Sequence, residues 1–139
     1  MNKDEELSKY LAQIEQYKEQ LSSLEMQLQY LQAAISDYDK GKITLKNLEE
    51  TDDKTEILVP IGGSTYISAT ANDTKKVLFD IGSGTVTEKK IGDAIKKIDE
   101  RIEDLHKTQE NLKSLMEKLQ SEAMEISTKA QTLYAEQQG

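Results

Sequence analysis

Cysteine is absent from this chain of 139 residues. No disulfide framework and no thiolate zinc site can therefore form, and the absence fits a reducing compartment. Histidine occurs once, at His106. With no second histidine and no cysteine to join it, it reads as a solvated side chain and not a metal ligand. Basic residues are in deficit: 18 Lys and Arg stand against 26 Asp and Glu, a net charge of −8. Nucleic acid is excluded as the main partner, because binding phosphates needs a basic stripe. An anionic membrane surface is disfavoured for the same reason. No apolar run reaches signal-peptide or membrane-spanning length, and the start, MNKDEELSKY, is charged throughout, so a soluble cytoplasmic protein is expected. Apolar residues make up 36% and aromatic residues 5%. That is thin for a compact core but enough for helices with a narrow apolar seam.

Such seams are present twice. From Leu7 the apolar positions step by three and four: Leu7, Tyr10, Ile14, Tyr17, Leu21, Leu24, Leu28, Leu31, Ile35, Tyr38, then Lys42 and Leu45. The second run reads Ile91, Ile95, Ile98, Ile102, Leu105, Gln109, Leu112, Met116, Leu119, Ala123, Ile126, Ala130, Leu133. Both are two-position heptad seams. Each run would make a helix of about 65–70 Å, a length usual in coiled coils. Gly41 lies inside the first run and marks an expected bend or weak point. TDDK at 51–54 is expected to end that helix.

The two seams are complementary in an antiparallel pair. If Leu7 faces Leu133, all facing positions sum to 140, and Tyr10 meets Ala130 while Tyr17 meets Ala123. Large then faces small twice, which keeps the seam evenly filled. A slip of one heptad keeps only one of those matches. Propensity alone would also place alanine in a helix. Two polar residues stay on the seam: Gln109 would face Leu31, and Lys42 would face Ile98 with its charge reaching water.

Between the runs the period falls to two. EILVPI and TYISATA flank GGS; KKVLFDI and TVTEK flank GSG. Four short strands in two hairpins are expected. Pro60, the one proline, cannot donate a ladder hydrogen bond, so its strand lies at an edge or is bulged there. The expected organisation is a helix over 1–52, two hairpins over 53–88 and a helix over 89–139. The fold class is α+β, mainly α. About 35 residues is far more than a helical hairpin needs to turn round. Two lone hairpins are marginal, and apolar residues on both faces with open edges invite strands from another chain. The strands therefore read as an assembly device, built on Ile57, Val59, Ile61, Tyr66, Ile67, Val77, Phe79, Ile81 and Val86.

The order helix, two hairpins, helix, with LVPIGGSTYI followed by VLFDIGSGT and EK, resembles the α-class subunits of prefoldin, of the archaeal type. The resemblance covers the whole chain, and the two hairpins carry the class. It implies a heterohexamer of two α-class and four β-class subunits, held by an intersubunit β-barrel. It also implies an ATP-independent holdase, without cofactor, that captures unfolded polypeptides at coiled-coil tips and passes them to a group II chaperonin. The tip residues would be Leu7, Tyr10, Leu11, Ile14, Met124, Ile126, Leu133 and Tyr134. Leu11 and Tyr134 flank the seam at e positions and Met124 sits at b. They either hold a client or widen the seam and are covered. The alternative function is a coiled-coil tether with one fixed partner. An enzyme is not expected: GSG at 82–84 and GGS at 62–64 lack the rest of a phosphate loop and read as turns, and Asp52 and Asp53 read as a helix stop.

Overall fold

The computed structural model describes residues 2–138. The order of elements is α1 (Lys3–Glu49), β1 (Thr55–Gly62), β2 (Thr65–Ala71), β3 (Lys76–Gly82), β4 (Thr85–Lys90) and α2 (Ile91–Gln138). The chain falls into two units.

The first unit joins Met1–Ala34 to Leu105–Gly139. Its helical start is set by Asn2, whose side-chain oxygen accepts from the Glu5 N–H at 2.8 Å. Asp4, Glu5 and Glu6 in the first turn oppose the positive end of the helix dipole. Seam residues from Leu7 to Leu31 are half-buried, while their neighbours on the outer faces are exposed. Ala130 and Leu133 are buried. Cross-helix contacts fix the pairing. The Tyr17 hydroxyl donates to Glu122 Oε2 at 3.1 Å, Lys3 pairs with Glu136 at 3.5 Å, and the Gln137 amide donates to Asp4 at 2.7 Å. Residue numbers in these pairs add to 139, 139 and 141, straddling the expected 140. The antiparallel register that sets Tyr10 by Ala130 and Tyr17 by Ala123 is therefore the one formed. Gln109 is half-buried on the seam, and its side-chain oxygen lies 3.3 Å from His106 Nδ1 one turn earlier.

The second unit is Ile35–Asp104. It holds most of the buried residues: Ile35, Thr74, Ile91, Ala94 and Ile98. Here too the pairing follows the expected register, with Lys42 Nζ 2.5 Å from Asp99 Oδ1. The Lys42 charge reaches a carboxylate at the rim of the seam. Gly41 does not interrupt α1, which is helical through it. Nothing lies within 4 Å of where its Cβ would be, so the missing side chain serves no close approach.

The strands form two separate two-stranded antiparallel sheets, β1–β2 and β3–β4. Both turns have two residues at positive φ: Gly63 and Ser64 at 56° and 59°, Ser83 and Gly84 at 51° and 75°. This mirror-image turn matches the twist of the strands it joins. Pairing skips a residue between Pro60 and Gly62 and again between Asp80 and Gly82, so Ile61 and Ile81 are bulged.

The element ends differ from expectation in two places. Helix α1 stops at Glu49, three residues short of 52, and β4 runs on to Lys90. Lys89 and Lys90 look like a charged helix start, but they pair with Val77 and Lys76. Ladder hydrogen bonds decide the boundary there, and no side-chain pattern reports them.

Candidate functional site

Two places carry chemistry that can engage other molecules: the exposed strip in the first unit and the strands in the second.

In the first unit, Leu7, Leu11, Ile14 and Tyr134 come together. With Ser127, Ala130 and Gln131 they line an open groove of about 430 Å³. Leu7, Leu11 and Ile14 from α1 form one wall; Ala130 and Tyr134 with Ser127 and Gln131 from α2 form the other, and the lining is almost wholly apolar. Leu11 is 54% exposed and Tyr134 56%, so neither is covered by widening the seam. Tyr10 and Leu133 line a different groove of about 350 Å³, with Glu6, Thr128, Lys129, Thr132 and Glu136. One side of the hairpin is thus apolar and the other charged. Ile126 is half-buried on the seam, and Met124 is 72% exposed; neither lines either groove. Met26, Tyr30 and Leu115 are also exposed, and Leu115 joins Leu24 and Leu119 in a further shallow groove. Sequence reading passed over these three, because they lie off the seam and away from the termini.

In the second unit, Ile57, Val59, Ile61, Tyr66, Ile67, Ile81 and Val86 are exposed. Leu58 and Leu78 are more exposed than any of them, Leu78 at 76%. Both belong to the second apolar face that the sequence leads one to expect, though not to the residues on which the assembly device was built. Val77 and Phe79 are half-buried, and Phe79 is covered by Arg101. Its guanidinium carbon lies 4.7 Å from the Phe79 ring centre and 5.9 Å from that of Tyr38. It donates to the Asp80 carbonyl at 3.1 Å and to the Tyr38 hydroxyl at 3.3 Å. The second hairpin therefore does have a support in its own chain, contrary to the expectation that the strands lack one.

The connector between the hairpins is a junction that sequence reading missed. Thr74, fully buried, donates its N–H to Asp53 Oδ1 at 2.8 Å. Its hydroxyl donates to the Thr51 carbonyl at 2.6 Å, with Asp53 Oδ1 a second acceptor at 3.0 Å. The two bonds from Thr74 hold the Asp53 carboxyl below its ordinary range, and Lys75 and Lys54 add to this. Lys75 Nζ reaches the Glu49 and Thr51 carbonyls at the end of α1. There its charge meets the negative end of the helix dipole. The Lys75 carbonyl accepts from the Ile91 N–H at 3.0 Å, so one dipeptide ties the last turn of α1 to the first of α2. Asp53 is a structural acceptor here. No group of three or more His, Cys, Asp or Glu able to hold a metal occurs among the described residues. No described helix is long and apolar enough to cross a membrane.

Two long paired helices separated by two antiparallel hairpins, with apolar surface left open on both, define a subunit built to associate. The family described as prefoldin subunit matches residues 17–136, and the chain belongs to that family of chaperone subunits. Curated relatives that it matches include subunits of the alpha class. It is 31% identical over 96 residues to prefoldin subunit alpha of Archaeoglobus fulgidus, covering 69% of this chain and 70% of that one. It is 33% identical over 92 residues to prefoldin subunit alpha of Methanococcus aeolicus, covering 66% and 62%. Among solved structures, the fold is shared with filamentous PFD from Methanocaldococcus jannaschii. The TM-score is 0.68 at 23% identity, over 91% of this chain and 98% of that one. The prefoldin beta subunit from Thermococcus strain KS-1 shares it at a TM-score of 0.59 and 19% identity, over 91% and 90%.

Proposed function

We propose that this chain is the α-class subunit of a cytoplasmic heterohexamer, two copies with four β-class subunits, that holds non-native polypeptides without ATP. It would hand them to a group II chaperonin. The strands would join the intersubunit barrel, and the client would lie along Leu7, Tyr10, Leu11, Ile14, Met124, Ile126, Leu133 and Tyr134. The observation that carries this reading is the apolar groove of the first unit: Leu11 and Tyr134 stay open to solvent beside a seam that needs neither. An unfolded chain offers apolar segments without fixed shape. Each buried side chain contributes about 1–3 kcal/mol, so capture must draw on several weak contacts at once. Weak contacts also release without hydrolysis.

The test uses the exposed members of the strip, because replacing seam residues would unfold the helices. Leu11→Ser, Met124→Ser and Tyr134→Ser together, in a complex with a β-class subunit, should leave helicity and native mass unchanged. Suppression of aggregation of a chemically denatured client, followed by light scattering, should fall several-fold. Full suppression by an intact complex would show that this strip is not the holding surface. Leu115 and its groove would then be the next surface to test.

A further inference from the structure

The two hairpins repeat one plan but are held differently. Ile57-Leu58-Val59-Pro60-Ile61-Gly62 returns twenty residues later as Val77-Leu78-Phe79-Asp80-Ile81-Gly82. Each copy is bulged at its isoleucine and closes on the same two-residue turn. Phe79 stands where the first copy has Val59, and Asp80 where it has Pro60. Those two positions are the ones that Arg101 uses. Its guanidinium carbon lies 4.7 Å from the Phe79 ring centre, and it donates to the Asp80 carbonyl at 3.1 Å. A valine offers no ring face to a cation. The Asp80 carboxylate meanwhile accepts from the Gly82 N–H at 2.8 Å, which braces the bulge. Pro60 has no side-chain acceptor to do the same for Gly62.

The second hairpin is thereby held at both ends. At its base the Ile91 N–H donates to the Lys75 carbonyl at 3.0 Å. Near its turn it is gripped by Arg101, about 15 Å along α2 from Ile91. It therefore lies back along the first turns of that helix. One face shows this: Val77 and Phe79, with Lys89 and Thr87 opposite them, are half-buried. Arg101 also donates to the Tyr38 hydroxyl of α1 at 3.3 Å, so the grip draws on both helices. The first hairpin is bonded at its base, where the Thr55 hydroxyl donates to the Asp52 carbonyl at 2.6 Å and the Lys54 N–H to the Ala71 carbonyl at 2.7 Å. Beyond that base it stands clear of the chain, and every residue from Glu56 to Ser68 is exposed.

We propose that Arg101 is a latch that presets the second hairpin against the helices, so that the chain meets a partner subunit with one fixed arm and one free arm. The latch concerns this chain alone; its use in association rests on the reading of the strands as an assembly device. A segment ordered in advance loses little freedom on binding, whereas one that orders at contact carries that entropic cost into the association. The fixed arm docks first. The free arm settles afterwards and follows the outline of the neighbour it meets. Arg101 is thus a positioning residue: it touches no partner and acts through the angle at which Phe79 and Asp80 hold β3.

Amide exchange in the full chain alone, followed by mass spectrometry, measures both arms at once. Peptides over 76–90 should exchange at least about tenfold more slowly than peptides over 55–71. Arg101→Ala should raise the second arm to the rate of the first and leave α1 and α2 unchanged towards the termini. Arg101→Lys keeps the charge but lacks the planar fork, and should fall between the two. In the presence of a β-class subunit the first arm should gain protection. Arg101→Ala should slow formation of that complex by about tenfold, followed by native mass over time, without changing its final mass. Equal exchange of the two arms in the unaltered chain overturns the latch, and so does slow exchange of the second arm that survives Arg101→Ala. Faster exchange along both helices, as large as that in the arm, would make Arg101 a general stabilising residue and likewise overturns it. A working latch with an unchanged rate of complex formation overturns its use in association and leaves the assembly reading standing. If no β-class subunit binds, the assembly reading falls, and the latch is decided by the exchange data alone.

Discussion

Thr74 shows how much one side chain can hold. Its N–H donates to Asp53 Oδ1, and its hydroxyl is shared between the Thr51 carbonyl and the same carboxylate oxygen. Thr74→Val keeps the shape and the N–H bond but strips the hydroxyl, so two acceptors lose a partner. Thermal or urea unfolding should show a loss of about 1–2 kcal/mol. Asp53 adds a pH dependence. Its folded pKa lies below the ordinary value, so its contribution is fully present above the unfolded value of about 3.9 and is lost as pH falls through the folded value. Asp53→Asn should therefore flatten the decline in melting temperature below about pH 4. An unchanged acid slope would assign that decline to other carboxylates. Tyr17 works in the opposite sense. Its hydrogen bond to the Glu122 carboxylate raises its pKa, so that contact weakens only in alkali, as pH rises past about 10.

Among the elements, α1 carries a replaceable defect. Gly41 is helical, with open space where a side chain would stand. Gly41→Ala should stabilise the helix by about 1 kcal/mol through propensity and reduced chain entropy, measured as a rise in the urea midpoint at constant m-value. A destabilised variant would mean that the glycine relieves strain. The pairing of α1 with α2 is checked by crosslinking. Cysteines at Tyr10 and Ala130 should join within one chain, and efficient joining of position 10 to 123 or 137 would show a register one heptad away. The helices were legible because a heptad is a direct image of the buried stripe. Even the register could be read, from two tyrosines set against two alanines. The strands were legible as hairpins because Gly63, Ser64, Ser83 and Gly84 spell out their turns. Their ends were not, since Lys89 and Lys90 pair through backbone groups. Thr74, Lys75 and Arg101 were hidden for a related reason. Each acts across more than twenty residues of chain, and nothing in a local pattern announces a buried threonine.

For the whole molecule, the two surfaces open to partners belong to different units, the groove to one and the strands to the other. That division should let the proposed holding and assembly roles be altered separately, as the Leu11, Met124 and Tyr134 variant tests. The junction at Thr74 and Lys75 has a kinetic consequence. Closing a loop costs more entropy the longer it is, and here contacts are graded by loop length. Asp53 and Thr74 are 21 residues apart, Tyr38 and Arg101 63, Tyr17 and Glu122 105, and Asp4 and Gln137 133. Once the junction has formed, each further helical turn needs only a short closure beyond the last. The helices should zip from the connector towards the termini and open in reverse. Hydrogen exchange should then find protection falling steadily along both helices, weakest near Leu7 and Tyr134. Uniform protection would mean that the helices open as one block. The groove thus lies in the last part of the chain to close and the first to loosen. Under the proposed holding role, its walls would part and re-form around segments of different bulk.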